Sequence, residues 1–149
     1  MNMAKNIYLA SPFFDDEQIA RVKKIEKALE SNPTVMDYYD PRLHQHEELE
    51  FGSPEWQTVT YNSDIEAIEA ADAIVAIVDF EGQNVDSGTA MEIGYAVKKG
   101  TPILIFQEKE PVLNLMFSVP VHAYMSKPED IANYDFDAMK KIPYKGKVV

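Results

Sequence analysis

Glu92 is the carboxylate whose neighbours in the sequence best suit chemistry. The positions three and four residues away on a helix hold no lysine or arginine that could pair with its charge; they are Gly88, Thr89, Tyr95 and Ala96. Small side chains beside a carboxylate leave room above it for a ligand or for another backbone. The spacing alone is equally consistent with a solvent-exposed glutamate, but a helix that starts just after a strand favours a pocket.

Several other polar residues each have a plain structural interpretation. Asp86 precedes the same helix and would act as its N-terminal cap. Asp64 lies in an acidic helix, and Tyr8 suits a half-buried position in a strand. Asn114 and Met116 suit a turn or a short helix with a core methionine. No single one of these residues indicates a function, yet together they converge on the ends of the predicted strands.

Missing signatures narrow the chemistry further. The chain has no cysteine, which removes thiolate nucleophiles, thiolate metal ligands and disulfides together. It contains no GxxxxGKS/T loop, no GxGxxG after either of its first two strands, no GxSxG elbow and no HExxH. His44 and His46 in a glutamate-rich loop, and His122 before a late strand, are weak evidence for a metal. Catalysis would therefore use oxygen and nitrogen groups.

Composition indicates one acidic domain over residues 1–149. The chain has 14 Lys+Arg against 25 Asp+Glu and a formal net charge of −11, which argues against binding to nucleic acid or to an anionic membrane. Its longest apolar run, Ala73–Val78, is far shorter than the roughly 20 residues that span a bilayer. The segment Met1–Asn6 has no signal-peptide core, so we expect a cytoplasmic location.

Hydrophobic periodicity alternates between strand and helix along the chain. Continuous apolar runs are typical of strands that are buried on both faces of a parallel sheet, and amphipathic segments separate them. This alternation predicts an α/β fold, a doubly wound, flavodoxin-like parallel sheet of five strands with helices on both faces. The predicted strands are Asn6–Ala10, Thr34–Tyr39, Ala73–Val78, Pro102–Phe106 and Val119–Met125, and the main helices are Asp15–Ser31, Glu55–Ala71 and Gly88–Lys99.

In a sheet of this type the ligand binds outside the carboxyl ends of the strands. Four segments follow those ends and are predicted to form the rim of one pocket: Tyr8–Phe14, Asp40–Pro54, Asp79–Gly88 and Gln107–Phe117. The segment Asp40–Pro54 is the least regular part of the chain and is rich in Pro, His, Gln and Glu.

Five motifs, read in order, resemble those of the nucleoside 2-deoxyribosyltransferases: Ile7–Phe14, Asp40–Gln45, Tyr61–Asp64, Asp86–Ala96 and Asn114–Met116. The most specific of them is the Asp-(x5)-Glu spacing that ends at Glu92 and is followed, after one intervening residue, by Gly-Tyr-Ala. The resemblance extends to the tail, where Tyr144–Val149 is similar to the family's short tail that reaches into the site. Val149 stands where family members often end in tyrosine.

The resemblance implies exchange of the base of a 2′-deoxyribonucleoside for a free purine or pyrimidine base. Glu92 would be the nucleophile, attacking C1′ to give a covalent deoxyribosyl-enzyme that the incoming base resolves with overall retention. Tyr8 would hydrogen-bond to Glu92 and orient it, and Asp64 would donate a proton to one base and accept it from the other.

The resemblance also implies the remaining contacts and partners. Gln45 would help to hold the base, Met116 would pack near the sugar or base, and Asp86 and Asn114 would bind the 5′-hydroxyl. Asn114 would come from a neighbouring subunit of a homo-oligomer, a hexamer or an assembly built from dimers. The only other partners implied are the deoxynucleoside and the free nucleobase, with neither a metal nor an organic cofactor.

Two alternative functions remain open from the sequence. One is hydrolysis of a 2′-deoxynucleoside 5′-monophosphate by an N-glycosidase, whose site needs donors for the phosphate. Ser11 and Ser87 offer hydroxyls, but the rims Tyr8–Phe14 and Asp79–Gly88 contain no arginine. The other is a non-catalytic nucleoside sensor on the same fold, which would have no need of an unpaired carboxylate facing a sugar.

Overall fold

A parallel sheet of five strands is the centre of the computed structural model, which describes residues 5–149. The strands of this part of the chain are β1 (Lys5–Ala10), β2 (Val35–Tyr39), β3 (Ala73–Ile77), β4 (Ile103–Phe106), β5 (Val112–Leu113), β6 (Ala123–Met125) and β7 (Lys147–Val148). The sheet has the order β2-β1-β3-β4-β6, and β5 pairs with β7 separately. The order confirms the predicted doubly wound α/β fold. Residues 1–4, which begin the predicted domain and the segment without a signal-peptide core, lie outside the described residues.

Helices connect the strands, and side-chain caps fix where the main ones begin. They are α1 (Asp16–Ser31), α2 (Pro54–Ala70), α3 (Ser87–Lys99), α4 (Leu115–Ser118) and α5 (Pro128–Ala132). The side chains of Asp15, Ser53 and Asp86 accept backbone N–H groups in the first turns of α1, α2 and α3 respectively. α3 ends at Gly100, whose φ of 87° is the left-handed conformation that glycine adopts most readily. Among residues 5–149, no helix combines the length and apolar character needed to cross a bilayer.

Alternate residues of each strand point to opposite faces of the sheet, and each face is covered by helices. On one face Ile7 and Leu9 pack with Val22 and Ile25 of α1. On the other face Tyr8 and Ala10 belong to the cluster that includes residues of α2 and α3. Tyr8 therefore points toward the helices that carry the candidate carboxylates.

The carboxyl-terminal third differs most from the sequence prediction. The fifth strand was expected over Val119–Met125, but β6 covers only Ala123–Met125. The first residues of that stretch continue the turn of α4, since Val119 N–H donates to Leu115 O at 3.1 Å. The pairing of β5 with β7, which fixes the tail, was not predicted, because two-residue strands carry no periodic pattern.

Candidate active site

A cavity of about 600 Å³ opens at the carboxyl ends of β1, β2 and β3. The loops after these strands form three sides, and α2 and α3 form the remainder. The lining residues are Ser11, Phe13, Phe14, Pro41, His44, Gln45, Phe51, Trp56, Thr60, Tyr61, Asp64, Ile65, Asp86, Gly88, Met91 and Glu92. The cavity therefore lies where parallel α/β sheets usually bind ligands, outside the carboxyl ends of the strands.

Three of the four predicted rim segments contribute to this cavity, and the fourth was wrong for this chain. Gln107–Phe117 supplies none of the described residues that line it. That segment is held elsewhere, because the carboxylate of Asp79 accepts the backbone N–H groups of Glu108 and Lys109, both at 2.8 Å, and because β5 pairs with β7. The exposed side of α2 takes its place in the wall.

Glu92 is half-buried on α3 and accepts a hydrogen bond from the hydroxyl of Tyr8. The Tyr8 side chain is fully buried between the sheet and the helices. The interpretation of Glu92 as a solvent-exposed glutamate was therefore wrong. Its hydrogen-bond donor, Tyr8, lies 84 positions earlier in the sequence. The spacing of residues within the helix therefore could not reveal this contact.

Burial is the largest cause of the pKa shifts of Glu92 and Asp64. It raises the pKa of Glu92 to about 8; the hydrogen bond from Tyr8 opposes this shift, and the charges of Asp64 and Asp86 add to it. Burial likewise raises the pKa of Asp64 to about 6, against the opposing influence of Tyr39 and His46. These two groups therefore exchange protons close to neutral pH, as acid–base residues need to do.

Tyr8 remains a hydrogen-bond donor throughout this range. Burial, together with the nearby Glu92 and Asp64, raises the pKa of its phenol far above the usual value. Its ring lies almost parallel to that of Tyr39, with centroids 5.8 Å apart, and Tyr39 in turn stacks on His44 at 4.3 Å. The hydroxyl of Tyr39 points at Asp64 Oδ1, 3.5 Å away. The stack thus joins β1 and β2 to the cavity wall.

Asp86 caps α3, as the sequence suggested, and also lines the cavity. Its Oδ2 accepts Thr89 N–H at 2.9 Å and the Thr89 hydroxyl at 3.1 Å. Gly88 keeps the space beside it open, because a Cβ there would lie 3.2 Å from the same oxygen. The cap holds the carboxylate at the N-terminus of α3, six residues before Glu92.

Aromatic residues form much of the wall, and the sequence analysis did not identify them. Trp56 Nε1 donates to the backbone oxygen of Gln45 at 3.0 Å, which fastens the loop after β2 to α2. Phe51 packs against Trp56 with ring centroids 4.6 Å apart, although 83% of Phe51 is exposed. The signal available was the concentration of aromatics in and after the irregular loop, which suits flat, apolar ligands.

Asn114 and Met116 lie outside this cavity. Asn114 caps α4 by accepting Met116 N–H at 2.9 Å, and 70% of Met116 is exposed. The tail is close to them, because the N–H of Leu115 donates to the oxygen of Val149 at 3.1 Å. The structure therefore gathers Glu92, Tyr8, Asp64, Gln45 and Asp86 in one place, whereas Asn114, Met116 and the tail form a separate exposed surface.

The cavity can perform acid–base and nucleophilic chemistry on a flat, mostly apolar ligand. It offers a desolvated carboxylate with a phenol donor, and a second carboxyl group that titrates near neutrality. Two such carboxyl groups are the usual equipment for cleaving a glycosidic bond. Within residues 5–149, no group of three or more His, Asp or Glu side chains is arranged to hold a metal ion.

Comparisons of the sequence and of the structure with known proteins both find deoxyribosyltransferases. The family model of nucleoside 2-deoxyribosyltransferase matches residues 7–139. A nucleoside deoxyribosyltransferase of Limosilactobacillus fermentum is 37% identical over 139 residues, which cover 85% of this chain and 81% of that protein. Another, from Lactobacillus leichmannii, is 29% identical and covers 97% of this chain and 98% of its own length.

Solved structures include a similar enzyme. The 2-deoxyribosyltransferase of Bacillus psychrosaccharolyticus superposes with a TM-score of 0.85 at 37% identity, covering 94% of this chain and 99% of that one. The similarity therefore extends over nearly all of the chain.

Proposed function

The chain belongs to the nucleoside 2-deoxyribosyltransferase family, as its motifs indicated, and on that basis we propose that it exchanges the base of a 2′-deoxyribonucleoside for a free purine or pyrimidine base through a covalent intermediate on Glu92. The observation that carries the proposal is the buried contact between Glu92 and Tyr8 in the wall of the cavity. A carboxylate held in this way can approach a sugar carbon without a competing cation three or four residues away on its own helix.

In the first half-reaction an oxygen of Glu92 attacks C1′ of the bound nucleoside. The C1′–N bond breaks, its electron pair goes to the base, and Asp64 donates a proton to that base. The product is a deoxyribosyl ester of Glu92 and a free base. A carboxylate in a dry site stabilises the positive charge that develops on the sugar more strongly than it would in water.

In the second half-reaction a nitrogen of the incoming base attacks C1′ from the face that the first base left. The ester bond breaks, Glu92 recovers its charge, and the proton of the incoming base passes to Asp64. Two inversions at C1′ give retention overall. Tyr8 donates a hydrogen bond to Glu92 before the attack on C1′ and again after the ester bond has broken. This hydrogen bond keeps the carboxylate directed at C1′.

The lining favours a nucleoside over a nucleoside 5′-phosphate. Three acidic side chains, those of Asp64, Asp86 and Glu92, face the cavity, and no lysine or arginine lines it among the described residues. A phosphate dianion there would meet repulsion without a compensating cation. Asp86 suits the neutral 5′-hydroxyl, which can donate a hydrogen bond to it, and Gln45 suits the polar edge of the base.

We further propose that the active form is a homo-oligomer in which Asn114 and Met116 complete the site of a neighbouring subunit. Both residues are exposed, and they adjoin further exposed apolar side chains, Leu115 and Val119. A cluster of this kind on a short helix is a candidate contact between copies of the chain.

The direct test is to incubate the protein with thymidine or deoxyinosine and free adenine, and to look for deoxyadenosine by chromatography. We expect the new nucleoside from the wild-type protein and a loss of roughly a thousandfold or more in Glu92→Gln, because the amide is not a nucleophile. Glu69→Gln is the matched control. Glu69 also accepts a hydrogen bond from a tyrosine hydroxyl, that of Tyr95, but it lies outside the cavity.

Each other outcome identifies a different function. Release of the first base without a new nucleoside would indicate hydrolysis, and binding without conversion would indicate a sensor. Transfer that persists in Glu92→Gln at more than a small fraction of the wild-type rate would remove Glu92 from the role of nucleophile.

A further inference from the structure

Three ionisable residues form a cluster in which Glu26 and Asp40 are buried and Arg42 is half-buried. Glu26 is on the inward side of α1, Asp40 follows β2, and Arg42 is in the short 3-10 turn Pro41–Leu43. The guanidinium of Arg42 binds Glu26 with both arms, Nε to Oε2 at 2.8 Å and Nη2 to Oε1 at 2.6 Å. Asp40 Oδ1 accepts the backbone N–H of Arg42 at 2.9 Å. A fork of this kind fixes the direction of the arginine as well as its distance.

The cluster has balanced charges at neutral pH. Burial and the neighbouring Glu26 raise the pKa of Asp40 well above its usual range. Although burial also acts on Glu26, the hydrogen bonds from Arg42 keep its pKa below the usual value. Oδ2 of Asp40 is buried and has no hydrogen-bond partner among the described residues, and a proton on that oxygen turns it into a donor toward Glu26. One carboxylate, one neutral acid and one guanidinium then add up to zero net charge.

The backbone of Arg42 connects this cluster to the cavity. Its carbonyl oxygen accepts the side-chain Nε2 of Gln45 at 2.8 Å. A carbonyl can only accept, so this contact fixes which end of the Gln45 amide is the nitrogen. The side-chain oxygen and the second amide hydrogen then remain for a ligand in the cavity that Gln45 lines.

We propose that Glu26, Asp40 and Arg42 are positioning residues for the base: their hydrogen bonds to one another fix the Arg42 carbonyl, and that carbonyl holds the Gln45 amide in the orientation that meets the base edge. The inference rests on the proposed function, since it supposes that the flat ligand beside Gln45 is a nucleobase. It predicts that damage to the cluster weakens binding of the base while the chemical step at Glu92 keeps its rate.

Arg42→Lys tests the proposal most sharply, because it keeps the charge and removes the fork. We expect the KM for free adenine to rise roughly tenfold and kcat at saturating adenine to stay within about twofold of wild type. Arg21→Lys is the matched control. Arg21, on α1, also forms ion pairs, with Glu17 and Glu108, but it does not line the cavity or contact Gln45. It should lower Tm without changing the KM for adenine.

A double-mutant cycle separates positioning through Gln45 from a general loss of structure. In a Gln45→Ala background, Arg42→Lys should have no further effect on the KM for adenine. Asp40→Asn should leave that KM unchanged at pH 7, because an amide reproduces the neutral acid, whereas Asp40→Ala should raise it. The proposal is overturned if Arg42→Lys raises the KM by the same factor with and without Gln45, or if Arg21→Lys raises it equally.

Failure of the proposed function would be visible separately. If the wild-type protein formed no new nucleoside, binding of free adenine measured by calorimetry on the same variants would report on the cluster. The same roughly tenfold weakening in Arg42→Lys, absent in Arg21→Lys and absent when Gln45 is already alanine, would support positioning, and equal affinities would contradict it.

Discussion

Glu92 and Asp64 have opposite needs in the proposed reaction, because attack requires a charged Glu92 and departure of the base requires a protonated Asp64. Their pKa values of about 8 and about 6 mean that the pair holds one proton between these limits. Below about pH 6 both groups become neutral, and above about pH 8 both become charged. Because Glu92 has the higher pKa, the proton of the singly protonated pair lies mainly on Glu92. The productive arrangement, with the proton on Asp64 and the charge on Glu92, is the minor form of that pair.

We therefore expect a bell-shaped dependence of kcat/KM on pH, with limbs near 6 and 8. Asp64→Asn should abolish the alkaline limb, because the variant then needs only a charged Glu92, and should lower the overall rate. Initial rates of base exchange from pH 5 to 9.5 would check this. An alkaline limb that persists in Asp64→Asn would show that another group is the acid.

Tyr8→Phe removes one hydroxyl from a fully buried ring that also stacks on Tyr39. A hydrogen bond to a charged group contributes about 1.5–3 kcal/mol, so we expect kcat to fall roughly tenfold to a hundredfold. The pKa of Glu92 should rise, and the alkaline limb should move to higher pH. Tyr38→Phe is the control, since Tyr38 also donates to a glutamate, Glu30, but outside the cavity. Equal losses in the two variants would contradict a special role for Tyr8.

What the sequence could predict at this scale depended on distance along the chain. The lack of a cation near Glu92 on its helix could be read from the residue spacing. The hydrogen bond from Tyr8 to Glu92 was predicted only from the resemblance to a family. The contacts among Glu26, Asp40 and Arg42 were not predicted. An acidic residue on a helix, another after a strand and an arginine in a loop look like surface charges until the fold brings them together.

At the scale of elements, α3 links folding to the site through Asp86, which both caps the helix and faces the cavity. Asp86→Asn should keep the cap and most of the stability, but should raise the KM for the deoxynucleoside if the carboxylate binds the 5′-hydroxyl. Asp86→Ala should lose the cap and the contact with the 5′-hydroxyl, and its free energy of unfolding should fall by about 1 kcal/mol. Thermal unfolding measured beside kinetics separates the two roles. A KM for Asp86→Asn equal to that of wild type would limit Asp86 to capping.

The elements that the sequence predicted well are those with strong periodic patterns and recognisable ends. The three long helices and the first four strands lie within one or two residues of the predicted bounds. The region after β4 was predicted poorly, because α4, β5 and β7 are too short to show periodicity and are fixed by contacts with one another. The rim segment Gln107–Phe117 was predicted wrongly for the same reason, since it contains β5 and the start of α4.

At the scale of the whole molecule, the proposed residues divide between two surfaces. Glu92 faces one chain's cavity, whereas Asn114 is exposed beside the tail. If each subunit contributes its Asn114 to the site of a neighbour, two inactive variants should complement each other. We expect Glu92→Gln and Asn114→Ala, refolded together, to recover up to about a quarter of the wild-type activity, since random pairing leaves one site in four intact.

Mixing Glu92→Gln with Gln45→Ala is the control for complementation. Both residues line the cavity of the same chain, so mixed oligomers contain no intact site and activity should not rise above that of Gln45→Ala. Recovery in the control, or no recovery with Asn114→Ala despite mixed oligomers in native mass spectrometry, would contradict donation of Asn114 across subunits.

The central claim, an ester between Glu92 and the sugar, can be measured by trapping. A 2′-fluoro-2′-deoxynucleoside should react slowly, because fluorine disfavours the positive charge on the sugar, and mass spectrometry should find one fluoropentosyl group for each chain. After digestion we expect the added mass on the peptide containing Glu92, its loss when free adenine is supplied, and no label in Glu92→Gln. A label on any other residue, or an unlabelled protein that still exchanges bases, would contradict the account.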